Sequence, residues 1–367
     1  MKFDVFSLGE IAKIRYGKNQ KNVQSDNGDI PIYGTGGLMG YASRSLYNYP
    51  SVLIGRKGTI GKVSYVEHPF WTIDTLFYTE INENIVIPKF LYYLMSLIDL
   101  NAYDEGTTIP SLRTETLNRL ELRIPSIDYQ KKILNILDPI YMKIQANSAI
   151  NKNLDEQAKT IFEKEFISTD TIPVEWTESS LIDIANYLNG LAMQKYRPSN
   201  GEQGLPVLKI KELRQGSFDD NSESCSYSIK PEYIVHDGDV IFSWSGSLLV
   251  DFWCGGTCGL NQHLFKVTSN IYDKWFYYSW TNYYLQKFSA IAADMATTMG
   301  HIKREELAKS RVLIPSCSDY ERIGKMLAPL YDLLISNRIE NRKLSDLRDT
   351  LLPKLMSGEL DVSNLDI

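Results

Sequence analysis

Apolar positions along this chain form short runs first and long periodic stretches afterwards, and that order occurs twice. The runs from Ser51 to Ile54, Leu76 to Thr79, Asp239 to Ser243 and Leu264 to Val267 are broken by glycine turns and predict strands. An aromatic helical pattern follows in each half, Phe90 to Leu97 and Trp275 to Tyr284. Each half then closes on a stretch whose spacing alternates four and three. The first is Ile133, Leu137, Ile140, Ile144, Asn147, Asn151, Leu154, Ala158 and Ile161; the second is Ile323, Leu327, Leu330, Leu334, Asn337, Asn341, Leu344, Arg348 and Leu351. Such spacing is a coiled-coil seam. Asparagine on a seam costs stability but fixes register, because a misregistered partner leaves its amide buried and unpaired. The matched pairs Asn147, Asn151 and Asn337, Asn341 predict that the two helices face each other. Pro139 and Pro329 are expected to kink each helix or to begin a new one after a short first segment, with Asp138 as its cap. From Pro139 to about Glu165 such a helix spans roughly 40 Å. That is close to the roughly 34–36 Å turn of B-DNA that separates modules in successive major grooves.

The two halves are copies. Thr107-Thr108-Ile109-Pro110-Ser111-Leu112-Arg113 aligns without gaps on Thr297-Thr298-Met299-Gly300-His301-Ile302-Lys303, an offset of 297 − 107 = 190, and the register persists through Ile124-Pro125-Ser126 on Ile314-Pro315-Ser316 to Leu154 on Leu344. Upstream the offset drifts. Val52 to Thr59 matches Val240 to Ser247 (246 − 58 = 188), and Leu8 to Ala12 resembles Leu181 to Ala185. The fold class is therefore α+β, with two similar compact domains, each followed by a long helix.

Composition narrows the function. At 367 residues with 43% hydrophobic and 23% charged positions, the chain is long enough for two domains with proper cores. No apolar run approaches the roughly 20 residues of a bilayer span and the first residues carry no signal-peptide pattern, so a cytoplasmic location is expected. Cys225, Cys254, Cys258 and Cys317 all lie in the second half and imply no shared disulfide framework. A net charge of -6 argues against a small stand-alone nucleic-acid binder, so any such affinity has to be local.

Catalytic and metal motifs are incomplete. Gly55-Arg56-Lys57-Gly58-Thr59-Ile60-Gly61-Lys62-Val63 has the wrong glycine spacing for a phosphate-binding loop, and Val63 stands where Ser or Thr is required. It reads instead as a glycine-rich basic loop whose amides, with Arg56 and Lys57, approach phosphates or bases, or as a tight hairpin with solvated charges. Cys254, Cys258 and His263 fall short of the four ligands of a structural zinc site. Asp138-Pro139 is followed by Ile140, so no Asn/Asp-Pro-Pro-aromatic methyltransferase motif is present. No catalytic residue, cofactor site or metal site is assigned to this chain.

Four segments carry a resemblance: Leu8-Gly9-Glu10-Ile11-Ala12, Ile124-Pro125-Ser126-Ile127-Asp128-Tyr129-Gln130, Ile314-Pro315-Ser316-Cys317-Ser318-Asp319-Tyr320-Glu321 and Leu352-Pro353-Lys354-Leu355-Met356-Ser357-Gly358-Glu359-Leu360. Together with the repeat, they make nearly the whole chain resemble the specificity subunits of type I restriction-modification enzymes. Tyr320-Glu321 departs from the family's usual Glu-Gln pair, of which Tyr129-Gln130 keeps the second member. The resemblance implies target-recognition domains over 1–128 and 171–318. It also implies a central helical spacer over 129–170 and a distal spacer and tail over 319–367, the two long helices packing as an antiparallel coiled coil. It implies a non-catalytic subunit that reads an asymmetric split site in double-stranded DNA and docks two modification subunits and restriction subunits. S-adenosylmethionine, ATP and magnesium belong to those partners.

The DNA-contact candidates are Lys18, Asn19, Gln20, Lys21, Arg56, Lys57, Thr107, Thr108 and Arg113 in the first half. In the second they are Gln194, Lys195, Arg197, Lys209, Lys211, Asn261, Gln262, His263, Thr297, Thr298 and Lys303. Arg and Lys bind phosphate or guanine, while Asn and Gln bind adenine bidentately. Threonines repeated in both copies suit a common scaffold; residues that read bases should differ between halves. A scaffold that binds only proteins through its two domains is the alternative, and lacks the salt dependence of a phosphate interface.

Overall fold

The computed structural model describes residues 2–168, 171–294, 302 and 304–365. The chain falls into two compact units, Met1–Met142 with Asp346–Ile367, and Lys143–Ser345. In the first, β1 (Phe3–Ser7) leads into a single-turn helix α1 (Leu8–Ile11) and then β2 (Ala12–Tyr16). The Glu10 carboxylate accepts the Ser7 amide at 2.7 Å and fixes this turn. Next come β3 (Ile30–Gly34), β4 (Gly37–Ala42), β5 (Ser51–Gly55), β6 (Val63–Val66), β7 (Trp71–Thr72) and β8 (Leu76–Ile81). Helices α2 (Pro88–Ser96) and α3 (Thr114–Asn118), strand β9 (Glu121–Pro125) and the long α4 (Ile127–Phe162) follow. Strand β9 closes on β1, an antiparallel sheet runs β2-β8-β5-β6, and a smaller one runs β4-β3-β7 with β3 and β7 parallel. Every residue of β5 is buried, which is why Val52 to Ile54 reads as an unbroken apolar run, while the buried Ser51 hydroxyl donates to the Thr79 carbonyl at 2.8 Å.

The second unit repeats this plan. It has β10 (Thr177–Ser180), α5 (Leu181–Ile184), β11 (Asn186–Asn189), β12 (Leu205–Leu208), α6 (Ile210–Gln215), β13 (Ser224–Cys225), β14 (Ile234–Val235) and β15 (Val240–Ser243). It continues with β16 (Leu249–Phe252), β17 (Cys258–Leu260), β18 (Leu264–Thr268), α7 (Lys274–Tyr283), α8 (Leu285–Asp294), α9 (Arg304–Ala308), β19 (Arg311–Ile314) and α10 (Cys317–Ser357). Here β19 closes on β10, the larger sheet runs β11-β18-β15-β16, and the smaller runs β13-β12-β17-β14 with β12 and β17 parallel. Asp183 repeats the role of Glu10 by accepting the Ser180 amide. The copies part between the strands of the smaller sheet. A tight hairpin joins β3 to β4, whereas α6 and a longer loop join β12 to β13.

Both long helices run without interruption through their prolines, so the expected second start at Pro139 does not occur. Asp138 is not a cap; its carboxylate pairs with the Lys89 ammonium at 3.1 Å. A proline inside a helix costs about 3 kcal/mol. Burial next to it offsets that cost: Ile133, Leu134 and Leu137 sit in the first unit's core, and Leu327 and Tyr331 sit beside Pro329 in the second.

In the second unit α4, from Lys143 onward, and α10 run antiparallel, since Asn147 meets Asn341 and Asn151 meets Asn337. The Asn337 amide donates to Asn151 Oδ1 at 2.9 Å, and the Asn151 amide donates to the Leu334 carbonyl. Asn147 donates to Asn341 Oδ1 at 2.9 Å and to Glu340. Arg342 ties α10 to the recognition domain by gripping both Asp237 oxygens, at 2.8 and 2.7 Å, and the Cys254 carbonyl. Burial opposes ionisation of Asp237, yet Arg342 and the Gly256 amide outweigh it and hold the carboxyl below its ordinary range. Asn337→Ala leaves the Asn151 acceptor buried and unpaired and is expected to cost about 1–3 kcal/mol. Replacing Asn151 and Asn337 together by leucine is expected to cost less than either single alanine change, read from urea unfolding midpoints.

Candidate nucleic-acid interface

In the first unit, the exit of β2, the turn after β5 and the crossover from β7 to β8 meet at one end of the larger sheet. Gly17 N–H donates to the Leu76 carbonyl at 2.9 Å and Lys18 N–H to the Thr72 carbonyl at 2.8 Å. The Ile73 amide donates to the Tyr33 carbonyl at 3.1 Å, which joins the smaller sheet to this end. Gly17 is required there, because a Cβ would lie 2.0 Å from the Ile73 carbonyl oxygen. The Arg56 amide bonds the Thr75 carbonyl at 2.9 Å, and the Gly58 amide, at φ +83°, bonds the Pro110 carbonyl at 2.8 Å. Those amides are therefore spent on the fold, and the expected amide cradle at Gly55 to Gly58 gives way to a hairpin turn. Lys57 is exposed; Arg56 donates to the Asp74 carbonyl at 2.7 Å and lies 4.9 Å over the Tyr16 ring.

The adjoining loop presents Thr107 and Thr108 at the surface. It is held by Asp104, whose Oδ1 accepts the Gly106 and Ser111 amides, both at 2.8 Å, and these bonds keep its carboxyl below the usual range. Arg113 pairs with Glu105 at 3.2 Å. Asn19 accepts the Lys21 amide, and the Gln20 carbonyl accepts the Val23 and Gln24 amides, which shapes the turn carrying Lys18 to Lys21.

The second unit reproduces the three bonds that join the strand exit, the crossover and the smaller sheet. Gly190 donates to the Leu264 carbonyl at 3.0 Å, Leu191 to that of Leu260 at 2.9 Å, and Asn261 to that of Leu208 at 3.2 Å. A Cβ on Gly190 would lie 2.3 Å from the Asn261 carbonyl oxygen. Gln194, Lys209, Lys211, Asn261, Gln262 and His263 line one cleft of about 370 Å³. Lys195 and Arg197 lie exposed just after Gln194. Lys209 pairs with Glu223 and Lys211 with Asp219, each at 2.6 Å. The hydrogen bond from Lys209 depresses the Glu223 carboxyl, and that to Asp219 raises the Lys211 ammonium. Asn261 is buried and accepts the His263 amide at 3.2 Å, so it shapes the turn more than it meets a ligand. His263 Nδ1 shares a hydrogen bond with Ser245 at 3.1 Å.

Among the described residues, Lys18, Lys21, Lys57 and Lys195 form no ion pair, whereas Arg197 acts electrostatically on the Glu223 carboxylate. Thr297, Thr298 and Lys303 lie outside the described residues. Cys254 and Cys258 are buried, which pushes the first thiol up to about 11 and raises the second as well. No group of three or more His, Cys, Asp or Glu able to hold a metal occurs among the described residues. The crossover Ile73-Asp74-Thr75 was not singled out from the sequence, although it is the counterpart of Asn261-Gln262-His263. The signal was present: Leu76-Phe77 and Leu264-Phe265 stand 264 − 76 = 188 apart, the offset that also links Gly58 to Gly246.

Two like-built α/β units, each offering a loop platform at one end of its sheet, define a duplicated recognition protein. The sequence pattern described as "Type I restriction modification DNA specificity domain" matches residues 1–156 and 173–345, so the chain belongs to the family of type I restriction-modification specificity subunits. It is 24% identical over 343 residues to the type I restriction enzyme MjaIX specificity subunit of Methanocaldococcus jannaschii, covering 86% of this chain and 78% of that one. It is 19% identical over 363 residues to the HindI specificity subunit of Haemophilus influenzae, covering 77% and 79%. The crystal structure of the type I restriction-modification S subunit from M. genitalium has the same fold, with a TM-score of 0.67 at 15% identity, over 97% of this chain and 96% of that one. No helix among the described residues is long and apolar enough to cross a membrane.

Because the folded-state pKa of Asp104 is depressed, its hold on the loop is complete above the unfolded carboxylate value, about 4. It is lost as pH falls through the folded value. Asp104→Ala is accordingly expected to raise hydrogen exchange at the Gly106 and Ser111 amides at neutral pH, whereas the wild-type loop loosens only in acid. Unchanged exchange in the variant would contradict this role.

Proposed function

We propose that this chain is the non-catalytic DNA-reading subunit of a type I restriction-modification complex, with one half of a split, asymmetric site read by each unit. The observation that carries the reading is the repeated platform. The same backbone bonds, from Gly17 to Leu76 and from Gly190 to Leu264, support loops whose side chains differ. Identical scaffolds with different surface chemistry suit two readers of unlike sequences, whereas a symmetric ligand needs matching side chains.

In this reading Lys18, Lys21, Lys57 and Lys195 neutralise phosphates, because no carboxylate of the fold pairs with them, and Arg197 joins them by exchanging its attraction to Glu223 for phosphate. Gln194 and Gln262 face base edges from the cleft, while His263 supports them from behind through its bond to Ser245. Lys209 and Lys211 reach DNA only by exchanging their carboxylate partners for phosphate. Helices α4 and α10 pair as an antiparallel coiled coil whose asparagine layers fix the register, and their outer faces dock two modification subunits, which restriction subunits join. Adenine methylation from S-adenosylmethionine, and cleavage with ATP and magnesium, are the work of those partners.

Sequencing of methylated adenines in cells expressing this chain with its modification subunit tests the reading. A new split motif that needs both proteins is expected; none, with both proteins folded and associated, contradicts it. With the purified complex, Lys57→Ala is expected to weaken binding to every duplex alike and to reduce the slope of log affinity against log salt by about 1.

A further inference from the structure

In the crossover segments the two platforms match in backbone and differ in the kind of every central side chain. Position by position, Ile73, Asp74 and Thr75 stand opposite Asn261, Gln262 and His263. Their ends coincide: the Leu76 amide bonds the Ile73 carbonyl at 3.1 Å, as the Leu264 amide bonds the Asn261 carbonyl at 3.0 Å. The first position is committed to the fold in both units, since Ile73 joins the small apolar cluster beneath β3 and Asn261 holds the turn. The third is drawn inward: Thr75 Oγ1 is buried without a partner and His263 bonds Ser245. The middle position neither packs into the core nor holds the turn. Asp74 is exposed, and Gln262 lines the cleft, where its Nε2 lies 3.4 Å from His263 Nε2 and its carbonyl is left to the cleft.

Asp74 is unexpected on a surface meant for a polyanion. Its carboxylate forms no ion pair among the described residues, although the Arg56 guanidinium lies against its backbone carbonyl. Near phosphates such a group lowers affinity by repulsion. It gains from contact only with a hydrogen-bond donor on a base, because an ionised carboxylate is an acceptor alone. The exocyclic N4 amino group of cytosine presents that donor in the major groove. An amide at the equivalent position offers both N–H donors and a carbonyl acceptor, the pairing that adenine N7 and N6 complement.

We propose that Asp74 and Gln262 are equivalent specificity-determining positions, Asp74 selecting cytosine in one half-site and Gln262 selecting adenine in the other. The inference rests on the reading of the chain as a two-unit DNA specificity subunit.

The test uses the full chain assembled with its modification subunits and the split motif that this wild-type complex methylates. Asp74→Asn, Gln262→Glu and Lys57→Ala are compared in competition binding against duplexes substituted one base pair at a time. Asp74→Asn is expected to lose discrimination on the order of tenfold at one C·G position of one half-site and to keep the profile of the other. Gln262→Glu is expected to do the same at one A·T position of the other half-site, while Lys57→Ala weakens all duplexes equally. Both loops lie at the surface or in an open cleft, and unchanged urea midpoints verify that the variants fold. An unaltered profile, or a uniform loss like that of Lys57→Ala, overturns the assignment while leaving the specificity reading intact. A wild-type complex with no split motif overturns that reading, and the assignment with it.

Discussion

The close approach of Gly17 to the Ile73 carbonyl, and of Gly190 to that of Asn261, is the constraint on which each recognition platform depends. The exit of the first strand of the larger sheet has to pass against the crossover that leaves the smaller sheet, and no side chain fits between them. Once the backbones touch, the bonds from Gly17 to Leu76 and from Lys18 to Thr72 join the two sheets at a single end. The turn after β5 then closes the platform from the other side through the Thr75 carbonyl. Side chains emerging from these segments inherit their positions from the backbone. A change of residue there therefore alters the chemistry the surface presents while the backbone bonds remain.

Charge on the platform is divided between cations that the fold uses and cations that it leaves unpaired. Arg113, Lys209 and Lys211 are held by Glu105, Glu223 and Asp219, and surface pairs of this kind contribute little to stability. Their effect is to orient side chains. Lys18, Lys21, Lys57 and Lys195 stand exposed without an ion pair among the described residues, so the platforms carry local positive charge in a chain whose net charge is -6.

Much of this was legible in the sequence, for physical reasons that differ between regions. The long helices and their asparagines were readable because a seam imposes strict spacing, and Asn147, Asn151, Asn337 and Asn341 meet as that spacing implies. The duplication was readable wherever packing forbids insertions; it blurred between the strands of the smaller sheet, where a hairpin in one copy is replaced by α6 in the other. Pro139 misled because local propensity predicts a new helix start, whereas the buried Ile133 and Leu137 carry the helix through. The partners of Lys209 and Lys211 lie in the loop that follows α6, and their distances depend on a fold that no local pattern encodes. Asp74 was not legible because an isolated acid carries no pattern of its own, and only the fold shows that its position coincides with that of Gln262.

Photo-crosslinking of split-site DNA to the assembled complex, from a probe placed at the exposed Thr59 or at its equivalent, the exposed Ser247, tests the central claim most directly. The Thr59 probe is expected to label only one half of the methylated motif and the Ser247 probe only the other. Crosslinks from both probes to the same half, or from neither to DNA in a complex that binds it, would contradict two equivalent platforms each reading its own half-site.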